Sequence, residues 1–138
     1  MPFIPAVIKW INTKRLSQID LFRKYPAETQ QEVLARLISA ARDTEWGKEH
    51  GYGSVTTHED FCRNVPVQSY EEMVPWVERL RAGGKNILWP GEVRWFAKSS
   101  GTTSTKSKFI PITRESLEDT HYRGAKDCLV LYTSVNPD

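Results

Sequence analysis

The 138-residue sequence has only two cysteines, Cys62 and Cys128, far apart and in neither a pairing nor a zinc-binding spacing. That scarcity excludes a disulfide framework and a structural zinc site; both thiols are expected as small buried side chains in a reducing compartment. Long hydrophobic runs are missing as well, none approaching the roughly 18 residues of a membrane span. The opening MPFIPAVIKWI lacks the basic n-region and small-residue cleavage site of a signal peptide. The cytoplasm is therefore the expected location, with no membrane partner. Nor does one sign of charge prevail. Nineteen basic against seventeen acidic residues leave a net charge of +2, too little to argue for nucleic acid, so any phosphate chemistry has to be local. No G-x-G-x-x-G fingerprint occurs. The pattern G-x-x-x-x-G-K-[ST], laid onto Lys106 and Ser107, demands glycine at Ser100 and Thr105, and both fail. Internal repeats and low-complexity linkers are absent.

What is present suffices for one domain or a piece of one: 39% apolar residues in a chain of this length bury on the order of 68% of the unfolded surface. Val7, Ile8, Ile11, Leu16, Ile19 and Phe22 recur at helical spacing, as one helix or two with a break near Asn12 and Thr13. Pro26 suits a first helical position, and Val33, Leu34, Leu37, Ile38 and Ala41 stripe the helix after it, which is expected to end near Gly47. Thr57 and Asp60 frame a short capped helix closed before Pro66. Ser69 and Glu72 form a capping box for a helix striped by Met73, Trp76, Val77 and Leu80 and ended by Gly83 and Gly84, with Pro75 near its start.

After LWPGE the period changes to two. Val93, Trp95 and Ala97 are expected on one face, Arg94, Phe96 and Lys98 on the other, and FIPIT repeats the pattern. Thr113 then caps a helix striped by Leu117, His121, Ala125, Cys128 and Tyr132. The fold class read from the residues is α+β: residues 1–90 mainly helical, 91–113 strand, loop and strand, 114–135 a helix. Among the histidines, His50 and His58 are expected at the surface and His121 half-buried; HED at 58–60 is helix-start charge and not a metal cluster. The five tryptophans are expected mostly in the core.

Between the strands lies KSSGTTSTKSK, residues 98–108, with seven hydroxyl side chains, three lysines, one glycine and no apolar residue. A plain hairpin needs only two to five linking residues. Gly101 lets a ligand approach the backbone, and the hydroxyls of Ser99, Ser100, Thr102 and Thr103 are compact donors for anionic oxygens. Lys98, Lys106 and Lys108 add positive charge, and successive amides in such a turn can form an anion nest. A polyphosphate fits this chemistry. The competing reading is a non-catalytic helical interaction module whose hairpin loop is merely solvated.

WFAKSSGTTSTKSKFIPIT (residues 95–113) resembles the phosphate-binding loop of acyl-adenylate-forming enzymes, most closely that of the auxin-responsive Gretchen Hagen family of acyl-acid amido synthetases. The resemblance continues backwards through NVPVQSYEEMVPWVERLRAGGKNILWPGEVRWF and TEWGKEHGYGSV, covering roughly residues 30 to 115 in order. It implies that Ser99, Ser100, Gly101, Thr102, Thr103 and Lys108 hold the β- and γ-phosphates of ATP, with Lys108 also catalytic. Where members usually carry small residues including glycine, this chain has Ser104 and Thr105. The implied reaction has two steps: a small carboxylic acid attacks the α-phosphate to give an acyl-adenylate and pyrophosphate, then an amine, usually an amino acid, takes the acyl group. Magnesium accompanies the nucleotide, with no protein ligand assigned. Members are several times longer, so residues 1–138 are expected to be the N-terminal part of one large α/β adenylate-forming domain, inactive alone.

Overall fold

The computed structural model describes residues 3–99 and 107–136. The architecture is α+β, as expected. Helices come first, then a two-stranded antiparallel sheet, then a last helical run. The chain divides into two compact units, one formed by residues 1–30 with 115–138 and the other by residues 31–114.

In the first unit α1 (Phe3–Lys24) is a single helix that runs through Asn12 and Thr13. The final run starts at Arg114, directly after Thr113. It comprises α6 (Arg114–Ser116), a π-helical stretch (Leu117–Tyr122) and α7 (Arg123–Val135). The expected stripe on this run is not its packed face. Cys128, His121 and Ala125 are exposed and Tyr132 is 65% exposed, whereas Val130 is buried. Two causes are visible. The π turn, closing i→i+5, shifts the helical phase midway, and α7 carries apolar residues on several sides, so periodicity could not select one. Polar partners select it instead. The Arg15 guanidinium donates two bonds to the Asp127 carboxylate, at 2.6 and 2.7 Å, and the Asn12 amide donates to the Thr133 hydroxyl at 3.2 Å.

The second unit contains most of the buried apolar side chains. α2 (Pro26–Ala41) starts at Pro26, as expected, but stops at Ala41 and not near Gly47. The reason is Thr44. Its hydroxyl donates to the Ala41 carbonyl at 2.7 Å and accepts from the Gly47 N–H at 3.0 Å, capping a separate helix α3 (Glu45–Glu49). The first amides of α3 donate to the carbonyls of Asn86 and Ile87, which ties this helix to the segment before the sheet. A 3₁₀ turn (Tyr52–Ser54) leads to α4 (His58–Asn64), with the Thr57/Asp60 capping box in place. α5 (Tyr70–Arg81) has the Ser69/Glu72 box and tolerates Pro75 in its first turns. Gly83, in the left-handed region, and Gly84 close α5: their N–H groups donate to Leu80 and Arg79 carbonyls in the Schellman pattern.

The core has two clusters. Ile38, Ala41, Trp46 and Tyr52 form one; Leu80, Ile87 and Val93 form the other; Trp76 and Leu88 pack against both. Trp46 is buried and Trp76 and Trp89 pack partly buried against the core, so the tryptophans are mostly core as expected; Trp10 and Trp95 are the exposed exceptions. Both cysteines are exposed free thiols, where buried ones were expected. His50 reverses its expectation too. It is buried, stacked on Trp46 at 3.9 Å, and its Nδ1 bonds the Trp46 carbonyl, an acceptor, so Nδ1 carries the proton. His121 is exposed rather than half-buried.

Candidate phosphate-loop site

The site is built on β1 (Trp95–Lys98) and β2 (Phe109–Ile112), paired antiparallel with Trp95 opposite Ile112 and Lys98 opposite Phe109. The strand alternation differs from the expected one. Val93 is buried but precedes β1, and within β1 it is Phe96 that packs on the second core cluster while Trp95 faces outward. The irregular backbone at Val93 and Arg94 breaks the strict period of two. Phe96 thereby fixes the hairpin on the core that holds α5.

Beyond the strands the ladder continues for one more pair, and that pair is Ser99 with Lys108. The Ser99 N–H donates to the Lys108 carbonyl at 3.0 Å, and the Lys108 N–H donates to the Ser99 hydroxyl oxygen at 3.1 Å. The two ends of the candidate loop are thus brought together. Ser100, Gly101, Thr102 and Thr103 lie outside the described residues. In this bond the Ser99 hydroxyl is the acceptor, so its own proton is not used in the pairing with Lys108.

Two residues at this site escaped sequence reasoning. Tyr70 is the first residue of α5, set there by the capping box: the Ser69 N–H donates to Glu72 at 2.6 Å, and the Glu72 N–H returns a bond to the Ser69 hydroxyl. The Ser69 N–H, and then its hydroxyl, hold the Glu72 carboxyl below the usual carboxylate range. From this position the Tyr70 phenol oxygen accepts the Phe109 N–H at 2.8 Å, and its O–H reaches the Phe109 carbonyl at 3.4 Å. The Lys108 ammonium lies 5.1 Å from the Tyr70 ring centroid. At the other end of α5 the Arg81 guanidinium stacks 4.0 Å over the Phe109 ring. The Y-E-E element marks a helix start in the sequence, but a hydroxyl reaching backbone 39 residues away leaves no local pattern.

Among the described residues no group of three histidine, cysteine or carboxylate side chains could hold a metal ion. HED at 58–60 forms the first turn of α4, where Asp60 accepts from Thr56 and Thr57, and these bonds, the Thr56 hydroxyl first, keep its carboxyl below the usual range.

Residues 15–136 of the chain match a known family model, the GH3 family N-terminal domain. The chain belongs to the GH3 family. The match extends past the motif-bearing stretch into α1 and α7. Similar curated proteins include the indole-3-acetic acid-amido synthetase GH3.6 of Arabidopsis thaliana, 31% identical over 108 residues, which cover 78% of this chain and 18% of that protein. The probable indole-3-acetic acid-amido synthetase GH3.7 of Oryza sativa subsp. japonica is 30% identical over 129 residues, covering 86% and 21%. The jasmonoyl--L-amino acid synthetase JAR4 of Nicotiana attenuata is 24% identical over 106 residues, 76% and 18%. The chain therefore spans about a fifth of the length of the curated relatives it matches. No helix among the described residues is long and apolar enough to cross a membrane.

Proposed function

We propose that this chain is the N-terminal part of an ATP-dependent acyl-acid amido synthetase, contributing its phosphate loop to a larger α/β adenylate-forming domain. The names of the GH3 relatives, an indole-3-acetic acid-amido synthetase and a jasmonoyl--L-amino acid synthetase, support a carboxylic acid and an amine as substrates. The observation that carries the reading is the mutual bonding of Ser99 and Lys108 at the base of the loop, at the two ends of the family's motif. Ser99, Ser100, Gly101, Thr102 and Thr103 supply hydroxyls and amides to the β- and γ-phosphates. Lys108 is the catalytic cation. Magnesium would accompany the nucleotide and neutralise phosphate charge, with no side chain here assigned to it.

Adenylyl transfer suits such a site because it asks for in-line placement and charge neutralisation more than for a covalent nucleophile from the protein. Lys108 meets charge that grows on the leaving pyrophosphate as the carboxylate attacks the α-phosphate. The acyl group then passes to the amine and AMP leaves. Two exposed, unpaired thiols support a cytoplasmic setting.

The test is ATP–pyrophosphate exchange by the complete protein. Removing one preorganised donor at developing charge typically costs about 3 kcal/mol, so Lys108→Ala is expected to slow exchange by about a hundredfold. Exchange at the wild-type rate would remove Lys108 from the mechanism.

A further inference from the structure

We propose that Tyr70 is the positioning residue for Lys108, holding both the backbone and the ammonium of that lysine where the triphosphate is bound; this rests on the phosphate-loop reading above. The peptide joining Lys108 to Phe109 is bonded on both sides. Its carbonyl accepts the Ser99 N–H across the hairpin at 3.0 Å, and its N–H, pointing away from β1, donates to the Tyr70 hydroxyl at 2.8 Å. β2 belongs to a two-stranded sheet, so this outward N–H has no ladder partner. A single side chain from α5 supplies one.

The same ring acts on the side chain. The Lys108 ammonium sits 5.1 Å from the Tyr70 centroid, within the range in which the negative face of an aromatic ring attracts a cation. Lysine has a flexible four-carbon stem and loses much rotamer freedom whenever its ammonium is fixed. A ring beneath it narrows that freedom before nucleotide arrives, and preorganised charge is what a phosphate-transfer site requires. Arg81 stacked on Phe109 at 4.0 Å holds the next residue from the far end of the same helix. α5, anchored in turn by the buried Val77 and Leu80, passes the rigidity of the core to the closing lysine.

The phenol thus does two separable things. Tyr70→Phe keeps the ring and removes the hydroxyl; Tyr70→Leu removes both. In the complete protein, exchange is expected to fall about tenfold in Tyr70→Leu and about threefold in Tyr70→Phe, because small misplacements of a reacting geometry are costly. In a Lys108→Ala background, adding Tyr70→Leu should cost no more than the about threefold of Tyr70→Phe, since only the backbone of residue 108 is then left to position. A readout independent of turnover is the ¹³C spectrum of the reductively dimethylated protein, with the Lys108 signal identified by its loss in Lys108→Arg. Its methyl resonances should be shifted upfield by the Tyr70 ring, remain so in Tyr70→Phe and return to the ordinary lysine position in Tyr70→Leu. The inference is overturned if the signal is unshifted in the wild type, if Tyr70→Phe loses the shift, or if Tyr70→Leu costs as much in the Lys108→Ala background as alone. Wild-type exchange by Lys108→Ala would instead overturn the phosphate-loop reading, leaving the shift to report only whether the contact exists.

Discussion

The two compact units of this chain are held by different physics. Residues 31–114 enclose an apolar core: Leu80, Ile87 and Val93 are 1%, 2% and 5% exposed, and Trp46 and Tyr52 are buried beside Ile38, while Leu37, Val67, Trp95 and Ile110 stay at the surface. In the unit made by the two terminal segments, Val130 is the buried residue among the described side chains, while Trp10, Leu21, Phe22, Leu129, Tyr132 and Val135 are largely exposed. Among the described side chains, a bidentate ion pair and an amide–hydroxyl bond join α1 to α7. The candidate site is attached to the first kind of structure. Its strands, Tyr70 and Arg81 all rest on the buried core, so the geometry of the proposed phosphate site is backed by close packing, which resists small displacements.

This contrast can be broken most forcefully at matched leucines. Leu80→Ala removes a nearly inaccessible side chain and should cost about 2–5 kcal/mol. Leu129→Ala, at a position 66% exposed, should stay within about 0.5 kcal/mol. Urea unfolding of both variants measures the gap, and equal costs would mean that the two units are not differently built. A pair of glycines sharpens the same point. A Cβ on Gly47 would lie 2.1 Å from the Ala41 carbonyl oxygen and 2.9 Å from that of Arg42, both backbone, whereas a Cβ on Gly124 in α7 meets nothing within 4 Å. Gly47→Ala is expected to destabilise by about 1–3 kcal/mol. Gly124→Ala should stabilise by about 0.5–1 kcal/mol, since alanine has the better helix propensity. Thermal melts of the two should shift in opposite directions.

Legibility in the sequence follows a different division, between local rules and tertiary partners, and it cuts across the two units. Where a local rule decides, the reading held. The boxes at Thr57/Asp60 and Ser69/Glu72 start α4 and α5, Gly83 and Gly84 end α5, and the period-two segments become β1 and β2. Where tertiary partners decide, it did not. The end of α2 depends on a threonine bonding backward and forward at once, the packed face of α7 on an aspartate meeting Arg15 112 residues away, and the burial of His50 on the flat face of Trp46. At the site, residue types and order suggested Ser99 and Lys108 as partners in one loop, and their pairing follows from the strand register. Tyr70 could not be read, because its role rests on the gap between a helix start and an edge N–H.

The smallest effect tests the polar fastening directly. Asp127 lies in the first unit, and its carboxyl is held below the usual carboxylate range, chiefly by the bonds it accepts from Arg15 and further by the positive charges of Arg15 and Arg123. A lowered native pKa means that the folded chain binds the proton less readily than the unfolded one. The contribution of Asp127 is therefore complete above the ordinary value of about 3.9 and disappears as pH falls through the lowered native value. Arg15 stays charged throughout, its own pKa raised by the same hydrogen bond. Asp127→Asn should cost about 1 kcal/mol at pH 7, the scale of a partly exposed pair with good geometry. That cost should shrink as the solution is taken below about pH 4. Asp60 and Glu72, lowered by their caps, lose stability over the same acid range in the other unit, so the comparison has to be made between wild type and variant at each pH and not along one pH curve. Hydrogen exchange at α7 amides locates the loss. A penalty undiminished at pH 3, or one spread equally over α5, would show that the ion pair is not what joins α1 to α7.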